Sequence, residues 1–155
     1  YDEIDFGWTN DSDPNAKWFL IIFMDTDCGH CWVKAEEMSL IHDTFGDQVN
    51  IISVAVSLNM QNHESSREEV VAFQDKIALN GCNGGSTDCS SRDGGVHNWT
   101  YFDDLRSDYM DTWGVQGTPS YTIIQPDGTV AWNQAQHQDV EVGQALFTLL
   151  PIPGE

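Results

Sequence analysis

The feature that most constrains this chain is a pair of cysteines, Cys28 and Cys31, between an apolar run and a segment with helical periodicity. Residues 18–24 before the pair are all apolar, and residues 29–45 carry apolar side chains three or four positions apart. This pattern predicts a buried strand, a sharp turn and a helix that begins at the cysteines. Unpaired N–H groups and the positive end of the helix dipole would favour a thiolate on Cys28.

The spacing of the two cysteines points to redox chemistry. Two residues, Gly29 and His30, separate the sulfur atoms, which can therefore close into a disulfide. We expect Cys28 to lie at the exposed helix start and to attack, and Cys31 to resolve the mixed disulfide from a more buried position. A charged His30 would lower the pKa of Cys28 further. This dithiol would need no other cofactor.

Two other interpretations of the pair remain open, half of a zinc site and two inert core cysteines. The other cysteines, Cys82 and Cys89, suit a zinc site poorly because six residues separate them within a Gly/Ser-rich loop. Haem attachment needs a histidine directly after the second cysteine, where this chain has Trp32. We therefore predict no bound metal.

Two further segments carry a family resemblance. Thr118-Pro119 lies within Val-Gln-Gly-Thr-Pro-Ser-Tyr at 115–121, and a Pro-Asp-Gly turn lies at 126–128. With the Cys-Gly-His-Cys tetrad, they resemble the thioredoxin-like superfamily, and most closely its TlpA/ResA branch of extracytoplasmic thiol–disulfide proteins. The tetrad itself is similar to that of protein disulfide isomerase. The resemblance covers residues 17–150.

The resemblance implies a function and a location. It implies a thiol–disulfide oxidoreductase that exchanges disulfides with protein substrates and with an unidentified redox partner outside the cytoplasm. It also implies that Pro119 follows a cis peptide bond facing the dithiol, and that the Thr118 backbone pairs with extended substrate. We expect a monomer.

The chain departs from the family pattern beside the dithiol. Asp27 stands where many relatives have Trp, and its carboxylate would raise the pKa of Cys28. Ile22 stands where thioredoxins carry a buried acid that helps to move the proton of the second cysteine. Asp25, Asp27, Glu36 or water would have to substitute for that acid. The Gly-His spacer suggests a more oxidising site, so the oxidase, isomerase and reductase directions all remain open.

The order of predicted elements gives an α/β fold. Strands are predicted at 18–24, 50–58, 120–125 and 129–133. Four helices are predicted: the first at 29–45, the second from Ser65 or Ser66 to Gly81, the third from Asp103 or Asp104 to Gly114, and the fourth from Asp139 to Pro151. Residues 99–102 are either a short strand or a buried segment. We predict one thioredoxin-like domain over residues 1–155, with a central four-stranded mixed sheet flanked by helices and an N-terminal extension carrying a short strand at 4–8.

An inserted loop at about 81–98 is the longest polar stretch of the chain. Cys82 and Cys89 could close it as a structural disulfide, which would indicate an oxidising compartment. A second redox pair and two free thiols are the alternatives. We expect the structural disulfide.

Charge excludes some partners. Twenty-five acidic residues against six basic ones give a net charge of −19, which repels nucleic acid and anionic membranes. An acidic surface suits a salty medium, because salt screens the repulsion among its charges, and we therefore expect a marine or halophilic source. Alternatively, the acidic surface serves to bind basic partners. The longest apolar run, at seven residues, is too short to span a membrane.

Three other functions are alternatives to disulfide exchange. A copper-handling protein similar to the Sco family would need a distant histidine, for which His97 and His137 are the candidates, although both are expected at the surface. A peroxidase similar to peroxiredoxins would need Thr at position 25, where this chain has Asp25. A non-catalytic interaction domain would not need the dithiol.

Overall fold

The computed structural model describes residues 16–150, and the expected N-terminal strand at 4–8 and the helix end at Pro151 lie outside that range. The strands are β1 (Trp18–Met24), β2 (Val49–Ala55), β3 (Asn80–Cys82), β4 (Thr87–Asp88), β5 (Thr100–Asp103), β6 (Ser120–Ile124) and β7 (Val130–Asn133). The helices are α1 (Gly29–Phe45), α2 (Arg67–Asp75), α3 (Asp108–Trp113) and α4 (Val142–Leu149).

The main sheet has five strands in the order β5-β2-β1-β6-β7, rather than the four expected from the sequence. The additional strand is β5, which pairs parallel with β2 and begins within the segment that the sequence left undecided. β1 pairs parallel with β2 and antiparallel with β6, so the sheet is mixed, as expected. β3 and β4 form a separate two-stranded hairpin in the insertion.

β1 lies in the middle of the sheet, and both of its faces are buried. Leu20, Ile22 and Met24 belong to the apolar cluster that contains the buried residues of α1, α2 and α4. The alternate residues Phe19 and Ile21 join the second cluster, which includes Met110 of α3. Because both faces of β1 are buried, its sequence is an unbroken apolar run. The packing on both faces also fixes the end of the strand, which Cys28 follows.

Three helix boundaries differ from the prediction. α2 ends at Asp75 and not at Gly81, because the next residue, Lys76, takes a left-handed conformation with φ of 55°. α3 begins at Asp108, because Asp104 remains outside the helix while its carboxylate accepts hydrogen bonds from the Tyr109 and Met110 amides. Glu141, not Asp139, precedes α4. Among the described residues, no helix is long and apolar enough to cross a membrane.

Candidate active site

Cys28 and Cys31 lie where β1 passes through a turn into α1. Cys28 is the N-cap residue of α1, and its Sγ accepts a hydrogen bond from the Cys31 backbone N–H at 3.2 Å. Both cysteines are unpaired thiols in this structure. The local sequence produces this arrangement because an extended N-cap residue with a side-chain acceptor satisfies one of the free amides of the first turn.

The loop at 117–120 lies against the first sulfur atom. The Thr118–Pro119 peptide bond is cis, and the Thr118 carbonyl lies 3.5 Å from the Cys28 Sγ, which donates to it. A groove runs from this loop along the neighbouring residues Trp113, Gly114, Gln134 and Gln138. Thr118 and Pro119 belong to the lining of this groove.

Cys28 is more covered than the sequence suggested, whereas a buried Cys31 was expected. Cys28 exposes 2% of its surface and Cys31 exposes 5%, whereas Gly29 and His30 between them are exposed. The expectation of an exposed Cys28 is therefore wrong. A partner disulfide must displace part of this cover before it can reach Sγ.

The two thiols differ strongly in acidity. The pKa of Cys28 is lowered to about 6, mainly by the hydrogen bond from the Cys31 side chain and also by Thr118, against the opposing effect of burial. His30 contributes through its backbone. Burial raises the pKa of Cys31 well above its ordinary value, and the neighbouring Cys28 raises it further. Cys28 is therefore the thiolate at neutral pH, and Cys31 keeps its proton.

Asp27 does not act as the sequence suggested. Its carboxylate is 1% exposed and accepts hydrogen bonds from the Gly84 amide at 2.8 Å, from His63 Nδ1 at 2.7 Å and from the Ser65 hydroxyl at 3.2 Å. The pKa of Cys28 is lowered despite this adjacent acid. The expected increase is not found, because the pKa of Cys28 is determined by burial and by hydrogen bonds from Cys31, Thr118 and the His30 backbone.

Asp25 is equally buried and equally well bonded. Its carboxylate accepts from the Leu58 and Asp27 amides, each at 2.9 Å, and from Ser65 Oγ at 2.9 Å. Glu36 is exposed on α1. These acids were the candidates to replace the buried acid of thioredoxins, and none of them lines the cavity below Cys31.

That cavity has a volume of about 20 Å³, which is enough for one water molecule. Its polar lining comes from Cys31, Lys34, Ser53, His97, Tyr101 and Tyr121. No carboxylate lines it among the residues described, so water remains as the candidate carrier for the Cys31 proton.

His97 lies in the core and not at the surface, which corrects the sequence expectation. It is 2% exposed, stacks on Trp99 at 4.2 Å between ring centroids, and has hydrogen-bond partners at both ring nitrogens, Tyr101 Oη at 2.7 Å and the Ala35 carbonyl at 3.0 Å. Burial lowers the pKa of His97 to about 3, so the ring is neutral. With both nitrogens occupied, His97 is poorly placed to bind copper.

His137 is exposed, as expected. The potential ligand group found among the described residues consists instead of Asp27, His63 and Glu69, whose ligand atoms lie within 4.8 Å of one another. The two ring nitrogens of His63 face different carboxylates, at 2.7 and 3.7 Å. His63 Nδ1 and Asp27 Oδ2 are at direct hydrogen-bonding distance, so the group is an ion pair in this structure.

Cys82 and Cys89 form a disulfide with an S–S distance of 2.02 Å, and both are fully buried. The bridge closes the β3–β4 hairpin, which packs on the turn before Cys28: the Asn83 amide donates to the Thr26 carbonyl at 3.0 Å, and the Gly84 amide donates to Asp27. The insertion therefore packs directly on the turn that positions Cys28.

Sequence reasoning missed His63 and Ser65. The available signal was the pair of acids in the turn before Cys28, because buried carboxylates require partners. Their partners lie about forty residues away along the chain, so the sequence did not identify them.

The comparisons with known proteins identify the fold. No protein-family model matches the chain, and no curated protein matches it in sequence. Among solved structures, a secreted Mycobacterium tuberculosis disulfide oxidoreductase homologous to E. coli DsbE matches with a TM-score of 0.53 and 16% identity over 74% of this chain, which spans 66% of that structure.

Two other solved structures agree. The exposed lipoprotein thioredoxin Etrx1 of Streptococcus pneumoniae gives a TM-score of 0.52 at 17% identity, covering 79% of this chain and 77% of that one. The thioredoxin domain of a Bacteroides vulgatus thiol–disulfide oxidoreductase gives 0.51 at 14% identity, covering 82% and 81%. The chain therefore has the thioredoxin-like fold of these thiol–disulfide oxidoreductases, with a Cys-x-x-Cys pair, Cys28 and Cys31, at the start of α1.

Proposed function

We propose that this protein is a thiol–disulfide oxidoreductase that exchanges disulfides with protein substrates through Cys28 and Cys31. The observation that carries the proposal is the acidity of Cys28, a thiol with a pKa of about 6 at a helix N-terminus and in contact with the Thr118 carbonyl. Structural thiols buried in apolar surroundings have raised pKa values, so a lowered value indicates a reactive site.

The reaction proceeds through two exchanges. The Cys28 thiolate attacks one sulfur of a substrate disulfide; a new S–S bond forms, the substrate bond breaks, and one substrate thiolate leaves. Cys31 then gives up its proton, which passes through water to the departing substrate sulfur, and its thiolate attacks Cys28 Sγ; the second substrate sulfur leaves as a thiol and a Cys28–Cys31 disulfide remains. Two electrons pass from the protein to the substrate, and the reverse sequence oxidises a substrate dithiol.

The loop opposite the dithiol supplies the substrate contact. The backbone of Thr118 pairs with an extended substrate segment, and Pro119 lies beside the segment without offering an N–H. The groove that starts at this loop gives the segment a path away from the sulfur. The buried Cys82–Cys89 disulfide supports activity in an oxidising compartment outside the cytoplasm.

The test is reduction of insulin disulfides with dithiothreitol as the electron source. Cys28→Ser should abolish turnover, and Cys31→Ser should accumulate mixed disulfides that are visible on non-reducing gels. Val33→Ser is the matched control because Val33 is 73% exposed on the same helix. Normal turnover by Cys31→Ser, or by Cys28→Ser, would refute the proposal.

A further inference from the structure

The turn before Cys28 contains an electrostatic problem. Asp25 and Asp27 are each 1% exposed, and the second of them directly precedes the reactive cysteine. A buried negative charge at that position disfavours a second negative charge on the sulfur. A cation paired with Asp27 removes that penalty and leaves the hydrogen bonds to Cys28 Sγ free to stabilise the thiolate.

His63 has the position to do so. Its Nδ1 lies 2.7 Å from Asp27 Oδ2, and its Nε2 lies 3.7 Å from Glu69 Oε1. The charged groups that face the ring are Asp27 and Asp25 from the turn and Glu69 from α2. The hydrogen bond to Asp27 is the main cause that raises the pKa of His63, which favours the imidazolium.

The β3–β4 hairpin holds this pair in place. The Gly84 amide binds the other Asp27 oxygen, Oδ1, at 2.8 Å, so the carboxylate is gripped from two sides. Gly85 lies against the His63 ring, where a side-chain Cβ would come within 2.7 Å of the ring. Gly85 also has φ of 86°, which favours glycine. The close approach of hairpin and ring therefore depends on glycine.

We propose that His63 is a positioning residue for the exchange reaction: it neutralises the Asp27 carboxylate and holds it toward the hairpin, so that the thiolate forms on Cys28. This inference rests on the proposed function and assigns a role in it to a residue that does not touch the substrate. Without His63, Asp27 keeps its hydrogen bonds from Gly84 and Ser65 but has no cationic partner, directly before Cys28 in the chain.

The test measures the acidity of Cys28 directly. The rate of iodoacetamide alkylation at Cys28 is followed from pH 4.5 to 9 in reduced protein, with mass spectrometry to identify the site. His63→Ala should raise the pKa of Cys28 by about one unit from its value of about 6. At pH 6 the thiolate fraction would then fall from about one half to about one tenth, a loss of about fivefold in rate.

Asp27→Asn provides the decisive background. An amide carries no charge, so His63→Ala should have no effect on the pKa of Cys28 when Asp27 is already Asn. His137→Ala is the control because His137 is exposed and should leave Cys28 unchanged. Should His63→Ala fail to fold, as judged by circular dichroism, His63→Gln in both backgrounds makes the same comparison.

Two results would overturn the proposal. One is a Cys28 pKa that is unchanged in folded His63 variants. The other is an increase of the same size with Asp27 or with Asn at that position, which would indicate a purely structural effect. Because alkylation needs no turnover, loss of insulin reduction does not enter this readout, and failure of the proposed function can be recognised separately.

Discussion

Replacing Cys31 by alanine should make the Cys28 thiol less acidic, whereas replacing it by serine should not. The hydrogen bond from the Cys31 side chain is the largest cause of the low pKa of Cys28. Alanine removes this donor and keeps the backbone N–H, which donates to Sγ at 3.2 Å. Serine keeps a hydroxyl donor on a side chain of similar size.

The size of the effect follows from the hydrogen bond. A bond to a charged group contributes about 1.5–3 kcal/mol, or about one to two pKa units. The pKa of Cys28 should therefore rise from about 6 to about 7 or above in the alanine variant. Because the thiolate reacts, the ratio of alkylation rates between pH 8 and pH 5 is about 11 for a pKa of 6, about 90 for 7 and about 900 for the ordinary value of 9.0.

The ratio is measured with iodoacetamide under non-reducing conditions. Cys28 is then the one free thiol in both variants, because Cys82 and Cys89 are bridged and the chain has four cysteines. Equal ratios near 11 for alanine and serine would show that the Cys31 side chain does not lower the pKa. A ratio near 900 in the serine variant, which keeps a side-chain donor to Cys28, would refute the whole account of Cys28 acidity.

Two further predictions concern stability. Replacing Cys82 and Cys89 together by alanine should lower the free energy of unfolding by about 2.5 kcal/mol, because the bridge closes a loop with a separation of 7 residues. In a calorimetric scan, Tm should fall by about 5–10 °C. An unchanged Tm would contradict a structural role for the bridge. His97 should make folding acid-sensitive: its pKa is about 3 when folded and 6.5 when unfolded, so its contribution is complete above pH 6.5 and is lost as pH falls. The free energy of unfolding measured with urea should be about 2 kcal/mol lower at pH 5 on account of His97. His97→Gln should remove that part of the pH dependence. The same pH dependence in the wild-type and variant proteins would contradict this role of His97.

The elements that depend on local patterns were predictable from the sequence. β1 and α1 have the predicted bounds because an unbroken apolar run and a clear helical period each determine one element. β5 was undecided because it is a short edge strand without a full alternating pattern. α2 ended early because Lys76 adopted the left-handed conformation expected of a glycine.

The parts of the site that depend on distant contacts were not predictable. His97 is buried by contacts that include the Ala35 carbonyl, 62 positions away, so its polarity alone suggested the surface. His63 meets Asp27 across 36 positions. Local sequence shows that a buried acid requires a partner, but tertiary packing selects which histidine it is.

The acidity of Cys28 is only part of what determines the direction of exchange. A thiol with a pKa of about 6 stabilises the reduced form at pH 7 by about 1.4 kcal/mol, equivalent to about 30 mV. The potentials of thioredoxin and DsbA differ by about 150 mV. Most of a difference of about 150 mV in reduction potential must therefore come from contacts that differ between the dithiol and the disulfide forms. Two such contacts are those of the Thr118 carbonyl and the Cys31 amide with Cys28 Sγ. Loss of His63 would shift the reduction potential of the Cys28–Cys31 pair by only about 20 mV. His63 therefore affects the rate at which Cys28 attacks at low pH more than the direction of disulfide exchange.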